Sequence, residues 1–222
     1  VMKLSKQTIA ILNNYSDINQ SILVKKGNQL RTISVMKNIL AECQVDEEFP
    51  QDFAIYDLPQ FLKIIRIYDN PELEFSQNFL TIKEGKNKTG YFFADPNVVV
   101  SPPDKQLSLP SIDVAFQVNY QELSKLISVA NTLDVPDLSV IGQDGKVSIC
   151  VRDKKNDTSN HHSILVGETD KEFTCHFKVE NIKIVPGTYN VTISSQCLSK
   201  FVCENYDLTY FIALEPDSTF ES

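Results

Sequence analysis

Apolar residues recur along this chain with two alternating periods, one typical of helices and the other of strands. A period of three to four residues predicts amphipathic helices over Leu4–Tyr15, Leu58–Tyr68 and Tyr120–Asn131, and a weaker short helix over Val179–Ile184. Stretches in which apolar and polar residues alternate follow each helix and predict strands. The chain therefore repeats one theme four times: a helix, a hairpin and a further strand.

The strand pattern predicts antiparallel pairing, because short turns separate most neighbouring strands. The predicted strands are Ser21–Lys25, Gln29–Val35, Ile39–Val45, Glu72–Ser76, Phe79–Lys83, Gly90–Ala94, Asp137–Ile141, Lys146–Val151 and Tyr189–Ser194, with a last pair around Phe201 and over Leu208–Leu214. Turns are predicted at Gly27-Asn28 and Gly142–Gly145. Within the second and third units, Phe61–Ile65 aligns with Leu123–Ile127, and the helix caps Asp57 and Asn119 coincide at the same offset.

A boundary candidate lies between the second and third units. The stretch from Val98 to Pro110 contains Pro102-Pro103, which cannot donate to a sheet and favours an extended chain. It divides the chain into near-equal halves, each with two helices and two sets of strands. We expect two similar α+β domains, residues 1–110 (including the linker at about 98–110) and residues 111–222.

Composition excludes several classes of protein. Of the 222 residues, 42% are hydrophobic, which is too many for a disordered chain. No apolar run approaches the roughly 18 residues of a transmembrane helix, and no signal-peptide pattern opens the chain, so we expect a soluble intracellular protein that does not bind membranes. The five cysteines form no C-x-x-C pair, which argues against a disulfide framework.

Candidate catalytic chemistry is scarce. The chain has no glycine-rich nucleotide motif, no H-E-x-x-H and no G-x-S-x-G. His161-His162 falls in a polar stretch, Lys154–Ser163, that reads as an exposed loop, and Asp46-Glu47-Glu48 reads as a solvated turn. The sequence predicts no enzyme, no metal and no cofactor, and a hydrolase using His161 or His162 is the weak alternative.

The lysine and arginine side chains on the predicted helices are the remaining candidates for a functional site. Net charge is −8, which on its own argues against a nucleic-acid binder. Lys6, Lys63, Arg66 and Lys125, however, each lie opposite the buried stripe of a predicted helix. An exposed lysine is usually only a solvated side chain, but a set of helices that present cations to one side would form a DNA-facing surface. Lys3 and Lys183 are further candidates.

The chain resembles the sliding clamps of T-even-type bacteriophages. The segments that carry the resemblance are Met2–Leu12, Tyr56–Leu62, Lys183–Tyr189 and Tyr210–Thr219. They run nearly end to end and are specific as a set, whereas Asp153–Lys171 is the least familiar region. The resemblance implies the DNA-clamp fold and a ring of three subunits with six domains, in which helices line the hole and sheets form the outside. Edge strands would pair between subunits.

This resemblance also implies what the protein does and what it binds. It implies a DNA sliding clamp that encircles duplex DNA without reading its sequence and tethers the replicative polymerase, in the cytoplasm of an infected bacterium. The implied partners are the polymerase C-terminal peptide and a clamp loader, with phage late-transcription factors as further candidates. An apolar groove beside the linker would bind such peptides, and its candidate residues are Val99, Val100, Leu107, Leu109, Ala213, Leu214 and Pro216.

Two alternatives stay open at this point. Leu107 and Leu109 could simply pack the linker onto the core. The whole chain could instead be a β-rich structural protein of a phage virion or tail, with no DNA-tethering role. The helical cations favour the clamp, because a structural component has no need for them.

Overall fold

A computed structural model describes residues 1–221. The chain divides into two compact units, Val1–Asp104 and a second that begins at Lys105. The sequence-based division after residue 110 stays a prediction of where the domains meet. None of the helices in residues 1–221 combines the length and apolar character needed to cross a membrane.

The first unit contains two α-helices and seven strands within Val1–Asp104. In chain order they are α1 (Lys6–Ile18), β1 (Ile22–Val24), β2 (Gly27–Ile33), β3 (Ile39–Phe49), β4 (Phe53–Ile55), α2 (Leu58–Ile65), β5 (Glu72–Phe75), β6 (Phe79–Glu84) and β7 (Asn87–Phe92), followed by a short 3-10 helix, Pro96–Val98. All pairs are antiparallel: β1 with β4, β2 with β3, and β6 between β5 and β7.

The core of this unit is apolar side chains from both helices and from all three strand groups. Leu12 and Leu62 come from the two helices, and Ile22, Ile55 and Leu80 from strands, and all are at most 4% exposed. Each such side chain contributes roughly 1.5–3 kcal/mol when it leaves water. α1 and α2 pack side by side, which leaves their polar faces exposed together.

The second unit contains one α-helix and nine strands among its described residues. They are β8 (Val114–Asn119), α3 (Tyr120–Leu133), β9 (Asp137–Gln143), β10 (Lys146–Arg152), β11 (His162–Glu168), β12 (Phe173–Lys178), β13 (Thr188–Ser194), β14 (Leu198–Cys203), β15 (Leu208–Ala213) and β16 (Thr219–Phe220). One antiparallel sheet has the order β11-β10-β9-β12-β16, and β15, β14, β13 and β8 are neighbours in another.

Local chemistry explains the hairpin between β9 and β10. Asp144 and Gly145 both have positive φ, 51° and 78°, which is the backbone that a two-residue turn between twisted strands requires. Gly142 has a different reason to be glycine, because an added Cβ would lie 2.3 Å from the Phe173 ring on the neighbouring strand. The predicted turn at Gly142–Gly145 is therefore correct in place but shorter, since Gly142 and Gln143 belong to β9.

Several predicted elements are wrong in detail. β1 pairs with β4 rather than with β2, and the predicted turn residue Gly27 is the first residue of β2. Asp46-Glu47-Glu48 is not a turn but the end of β3, where buried Val45 and Phe49 continue the alternation on either side of the acidic residues.

The predicted fourth helix is also wrong. Only Val179–Asn181 forms a single turn of 3-10 helix. Ile182, Ile184 and Val185 follow it, and their β-branched side chains disfavour a continued helix. Pro186 then cannot supply a backbone donor, so the segment passes into β13 without a further turn of helix.

Candidate nucleic-acid interface and partner surface

Contacts to a half-buried carboxylate position α1. The Ser5 side chain accepts a hydrogen bond from the Thr8 N–H at 3.1 Å and caps the helix. Glu47 of β3 then accepts hydrogen bonds from the Ser5 N–H and from the Thr8 hydroxyl, the latter at 2.5 Å. Burial alone would raise the pKa of Glu47, but these hydrogen bonds outweigh it, and the pKa lies below its usual value. The helix therefore buries Thr8, Ile11, Leu12 and Tyr15 and exposes Lys6.

The second helix presents two more cations. Asp57 caps α2 by accepting from the Gln60 N–H at 2.9 Å. Of the apolar stripe predicted for this helix, Leu58, Phe61, Leu62 and Ile65 are buried, whereas Tyr68 lies beyond the helix end and is half-buried. The opposite face exposes Lys63, with Arg66 exposed at the C-cap. The Arg66 guanidinium donates to the Asn13 side chain of α1, so this cation bridges the two helices.

Lys6 and Arg66 lie at one surface cavity of about 350 Å³ between the start of α1 and the end of α2. Its floor includes Leu4, Ile9 and Ile65. The structure thus brings three predicted DNA-facing residues, Lys6, Lys63 and Arg66, to two adjacent helices of the first unit. Lys3 is less available, because its ammonium is 4.0 Å from Glu72 and the two charges offset each other.

The second unit carries fewer helical cations. Asn119 and Glu122 form a reciprocal capping box at the start of α3. Lys125 is exposed and is the only cation in Tyr120–Leu133. The rest of that face is polar, and the hydroxyls of Ser128 and Thr132 donate to carbonyls one turn earlier. Lys183 lies outside any helix and is half-buried, so it is a weaker candidate.

The predicted partner-binding residues differ in exposure. Val100 and Leu107 are 38% and 39% exposed, Pro216 is exposed, and Leu109 and Ala213 are half-buried. Val99 and Leu214 are only 7% and 6% exposed, so neither offers much of its side chain to a partner. That these seven residues form one groove stays a prediction.

Sequence reasoning missed two strongly exposed apolar residues in the first unit. Val35 and Met36 are 66% and 82% exposed at the turn between β2 and β3. The Ser34 hydroxyl oxygen accepts from the N–H groups of Asn38 and Ile39, both at 3.1 Å, and Lys37 adopts a positive φ of 58°. The signal was present, because apolar residues are unusual at a tight turn, but the alternation of the preceding strand concealed it.

Several strands have a single hydrogen-bonded neighbour among the described strands, and β7 and β11 are one such strand from each unit. β7 pairs only with β6, and β11 pairs only with β10. Each exposes a large apolar residue, Phe92 at 75% and Leu165 at 62%. Open edges with exposed apolar side chains are typical of surfaces that another chain covers.

The histidines form no accessible catalytic arrangement in the described chain. His161 is exposed in the loop before β11, and His162 begins that strand. His176 is 2.8 Å from the Ser139 hydroxyl, but both side chains are buried, and burial lowers the pKa of His176. Residues 1–221 contain no group of three or more His, Cys, Asp or Glu side chains placed to hold a metal ion.

Solved structures identify the fold. The chain resembles the proliferating cellular nuclear antigen of Entamoeba histolytica, with a TM-score of 0.69 and 13% identity over 93% of this chain and 94% of the other. It also resembles the DnaN clamp of Bartonella birtlesii, with a TM-score of 0.74 and 14% identity over 96% of this chain and 64% of the other. The predicted α+β class and the DNA-clamp fold are confirmed.

Sequence comparison identifies the family. Residues 3–101 match the family model described as DNA polymerase processivity factor, and residues 115–216 match that of the gp45 sliding clamp, C terminal. The chain is 31% identical to the sliding clamp of Vibrio phage KVP40 over 96% of its length and 99% of the relative. It is also 31% identical to the sliding clamp of Enterobacteria phage T4, over 99% of its length and all of the relative. The chain belongs to the sliding clamp family, the processivity factors of DNA polymerases, and nothing supports the alternative of a virion or tail component.

Proposed function

We propose that this chain is one subunit of a homotrimeric ring that encircles duplex DNA and tethers the replicative polymerase without catalysing any reaction. The observation that supports this most strongly is the concentration of Lys6, Lys63 and Arg66 on the adjacent exposed faces of α1 and α2, in a protein with net charge −8. Cations that meet phosphates without reading bases hold a duplex loosely, so processivity would come from topology rather than affinity.

The DNA-facing surface in this proposal consists of Lys6, Lys63, Arg66 and Lys125, with Lys3 and Lys183 as minor contributors. Because three of the four main cations belong to the first unit, that unit would make most of the phosphate contacts. The α3 face would contribute Lys125 and neutral hydroxyls, which bind phosphate more weakly than a cation does.

Ring closure would join β7 of one subunit to β11 of the next. A head-to-tail ring needs two different complementary surfaces on each subunit, and these open edges lie on different units. Antiparallel pairing would bring Lys88, near the start of β7, towards Glu168 at the end of β11. Parallel pairing would bring Lys88 towards His162 instead. We therefore propose the antiparallel arrangement, with Phe92 and Leu165 covered by the neighbour.

A partner peptide, such as the polymerase C-terminal tail, would bind along the linker. Val100 and Leu107 provide exposed apolar contacts, and Val99, Leu109, Ala213, Leu214 and Pro216 complete the proposed set. We add Val35 and Met36, because their side chains are exposed on a rigid turn. The clamp loader and late-transcription factors would use the same surface in turn, in the cytoplasm of the infected host.

Primer extension on a long primed circle, with the phage replicative polymerase, tests this function. We expect the protein to lengthen the products of a single binding event, and to elute as a trimer by light scattering. Extension products of unchanged length, together with a stable monomer at micromolar concentration, would contradict the proposal.

A further inference from the structure

Two side chains from the body of the first unit hold the start of the linker. The Asn19 side-chain amide donates to the Val100 carbonyl at 3.0 Å, and the Arg31 guanidinium donates to the Pro103 carbonyl at 2.8 Å. This stretch has no regular secondary structure, and Pro102 and Pro103 have no N–H to bond with. Hydrogen bonds from side chains therefore hold this segment in place, whereas a strand is held by backbone hydrogen bonds to its neighbours.

Asn19 joins the linker to the turn that exposes Val35 and Met36. It is 6% exposed, and its amide nitrogen donates also to the Ile33 carbonyl at 2.9 Å, while its oxygen accepts from the Ser21 N–H at 3.0 Å. Rotation of the amide by half a turn would place its oxygen against two carbonyls, so its orientation is fixed. One buried amide group thus ties Val100 to the residue that precedes the Ser34 turn.

Arg31 is held in place from the opposite strand. It is directly across the ladder from Glu42, with Nε 3.4 Å from a Glu42 carboxylate oxygen, and the two side chains are 17% and 20% exposed. Arg31 Nε and Nη2 and that Glu42 oxygen are buried and make no hydrogen bond, so the carbonyl of Pro103 is the hydrogen-bond acceptor that orients this guanidinium. A half-buried ion pair with unused donors adds little stability, which favours a positioning role.

We propose that Asn19 and Arg31 are positioning residues of the partner surface, and this inference rests on the proposed function. They fix the linker start against the turn between β2 and β3, so that Val35, Met36 and Val100 form a preformed apolar binding site for a short apolar peptide. Asn19 and Arg31 themselves do not contact the peptide. Because the linker is already ordered before the peptide binds, binding does not incur the entropic cost of ordering it, and the affinity is higher.

The test compares two substitutions at the same ion pair. Arg31→Met keeps the length of the side chain but removes the donor to Pro103, whereas Glu42→Gln alters the ion pair and leaves that donor in place. Loss of one charge-assisted hydrogen bond is worth about tenfold in an equilibrium constant. We expect Arg31→Met to weaken binding of a polymerase C-terminal peptide about tenfold, measured by calorimetry, and Glu42→Gln to change it less than about threefold.

A second readout follows the linker itself. Trypsin cleaves after lysine, and Lys105 is exposed in the linker just beyond the anchored carbonyls. We expect faster cleavage at Lys105 in Arg31→Met than in Glu42→Gln, with unchanged trimer mass and unchanged retention on circular DNA. A purely structural role for Arg31 would lower the melting temperature without this difference in cleavage.

A double substitution keeps the test decisive if Arg31→Met alone leaves Glu42 as an unpaired buried charge and unfolds. Arg31→Met with Glu42→Leu replaces the ion pair by an apolar cross-strand pair, an exchange that is often neutral for stability. Peptide affinity equal to that of the unsubstituted protein in this folded variant would overturn the positioning role. A peptide that fails to protect Lys105 in the unsubstituted protein would instead overturn the proposed partner site.

Discussion

The proposed DNA-facing surface makes a quantitative prediction for Lys63→Ala with Arg66→Ala. Both cations are exposed on one face of α2, so the substitutions leave the buried stripe intact. Lys63 is in the last turn and Arg66 is the C-cap, where a cation stabilises a helix by roughly 0.3–1 kcal/mol. The double variant should therefore stay folded at a small cost in the free energy of unfolding.

The effect on DNA binding should appear mainly as a change in salt dependence. Each lost phosphate contact reduces the slope of log affinity against log salt by about 0.9, so two lost contacts reduce it by about 1.8. Between roughly 50 and 200 mM salt, the affinity difference between the double variant and the unsubstituted protein should narrow about tenfold. Fluorescence anisotropy of a short labelled duplex across this salt range measures both slopes.

The matched control removes the same charge elsewhere in the same unit. Lys25 and Lys26 are exposed between β1 and β2, outside both helices, and their replacement by alanine should leave the slope unchanged. If the Lys63 and Arg66 variant keeps the salt slope of the unsubstituted protein, or if the Lys25 and Lys26 variant loses as much, then α2 does not face DNA.

Three further predictions follow from the contacts described above. Lys88→Glu should dissociate the trimer, and adding Glu168→Lys should restore it, as measured by sedimentation; failure of the double variant to recover would refute the antiparallel β7–β11 pairing. Glu47→Gln should lower the free energy of unfolding by about 1–2 kcal/mol, whereas exposed Glu48→Gln should not. Because the pKa of Glu47 is lower in the folded than in the unfolded state, the stability that its carboxylate contributes is present above the unfolded pKa of about 4.5 and is lost as pH falls through the folded pKa. The difference in the free energy of unfolding between Glu47→Gln and the unsubstituted protein, measured in urea, should therefore vanish in acid. Met36→Asp should abolish peptide binding without altering ring mass, and unimpaired calorimetric binding would remove this turn from the partner surface.

The helices were predictable because their stripes are regular, but their ends depended on tertiary contacts. α1 begins at Lys6 because Ser5 caps it, which is a local signal, but the bond from the Ser5 N–H to Glu47 of β3 joins residues 42 positions apart and has no local pattern. α2 ends at Ile65 rather than at the predicted Tyr68, whose hydroxyl instead lies 2.8 Å from that of Thr89 in β7.

Strand prediction failed where both faces of a sheet are covered. In β12, Phe173, Cys175, His176 and Phe177 are all buried, so the segment has no clean alternation of polar and apolar positions. The exposed cations of the candidate site could be predicted from helical spacing alone. The partner surface could not be predicted in the same way, because the contacts of Asn19 and Arg31 with the linker join residues 81 and 72 positions apart.

A protein that holds DNA by encircling it should stay on closed circles and leave linear DNA, and one measurement tests this directly. The protein is loaded onto a nicked circular duplex, separated from free protein by gel filtration, and then challenged with a restriction enzyme that cuts the circle once. The protein should stay on the intact circle at a salt concentration that prevents ordinary binding, and it should leave within the time of cutting once ends are available. Equal retention on the circle and on its linear product would contradict encirclement.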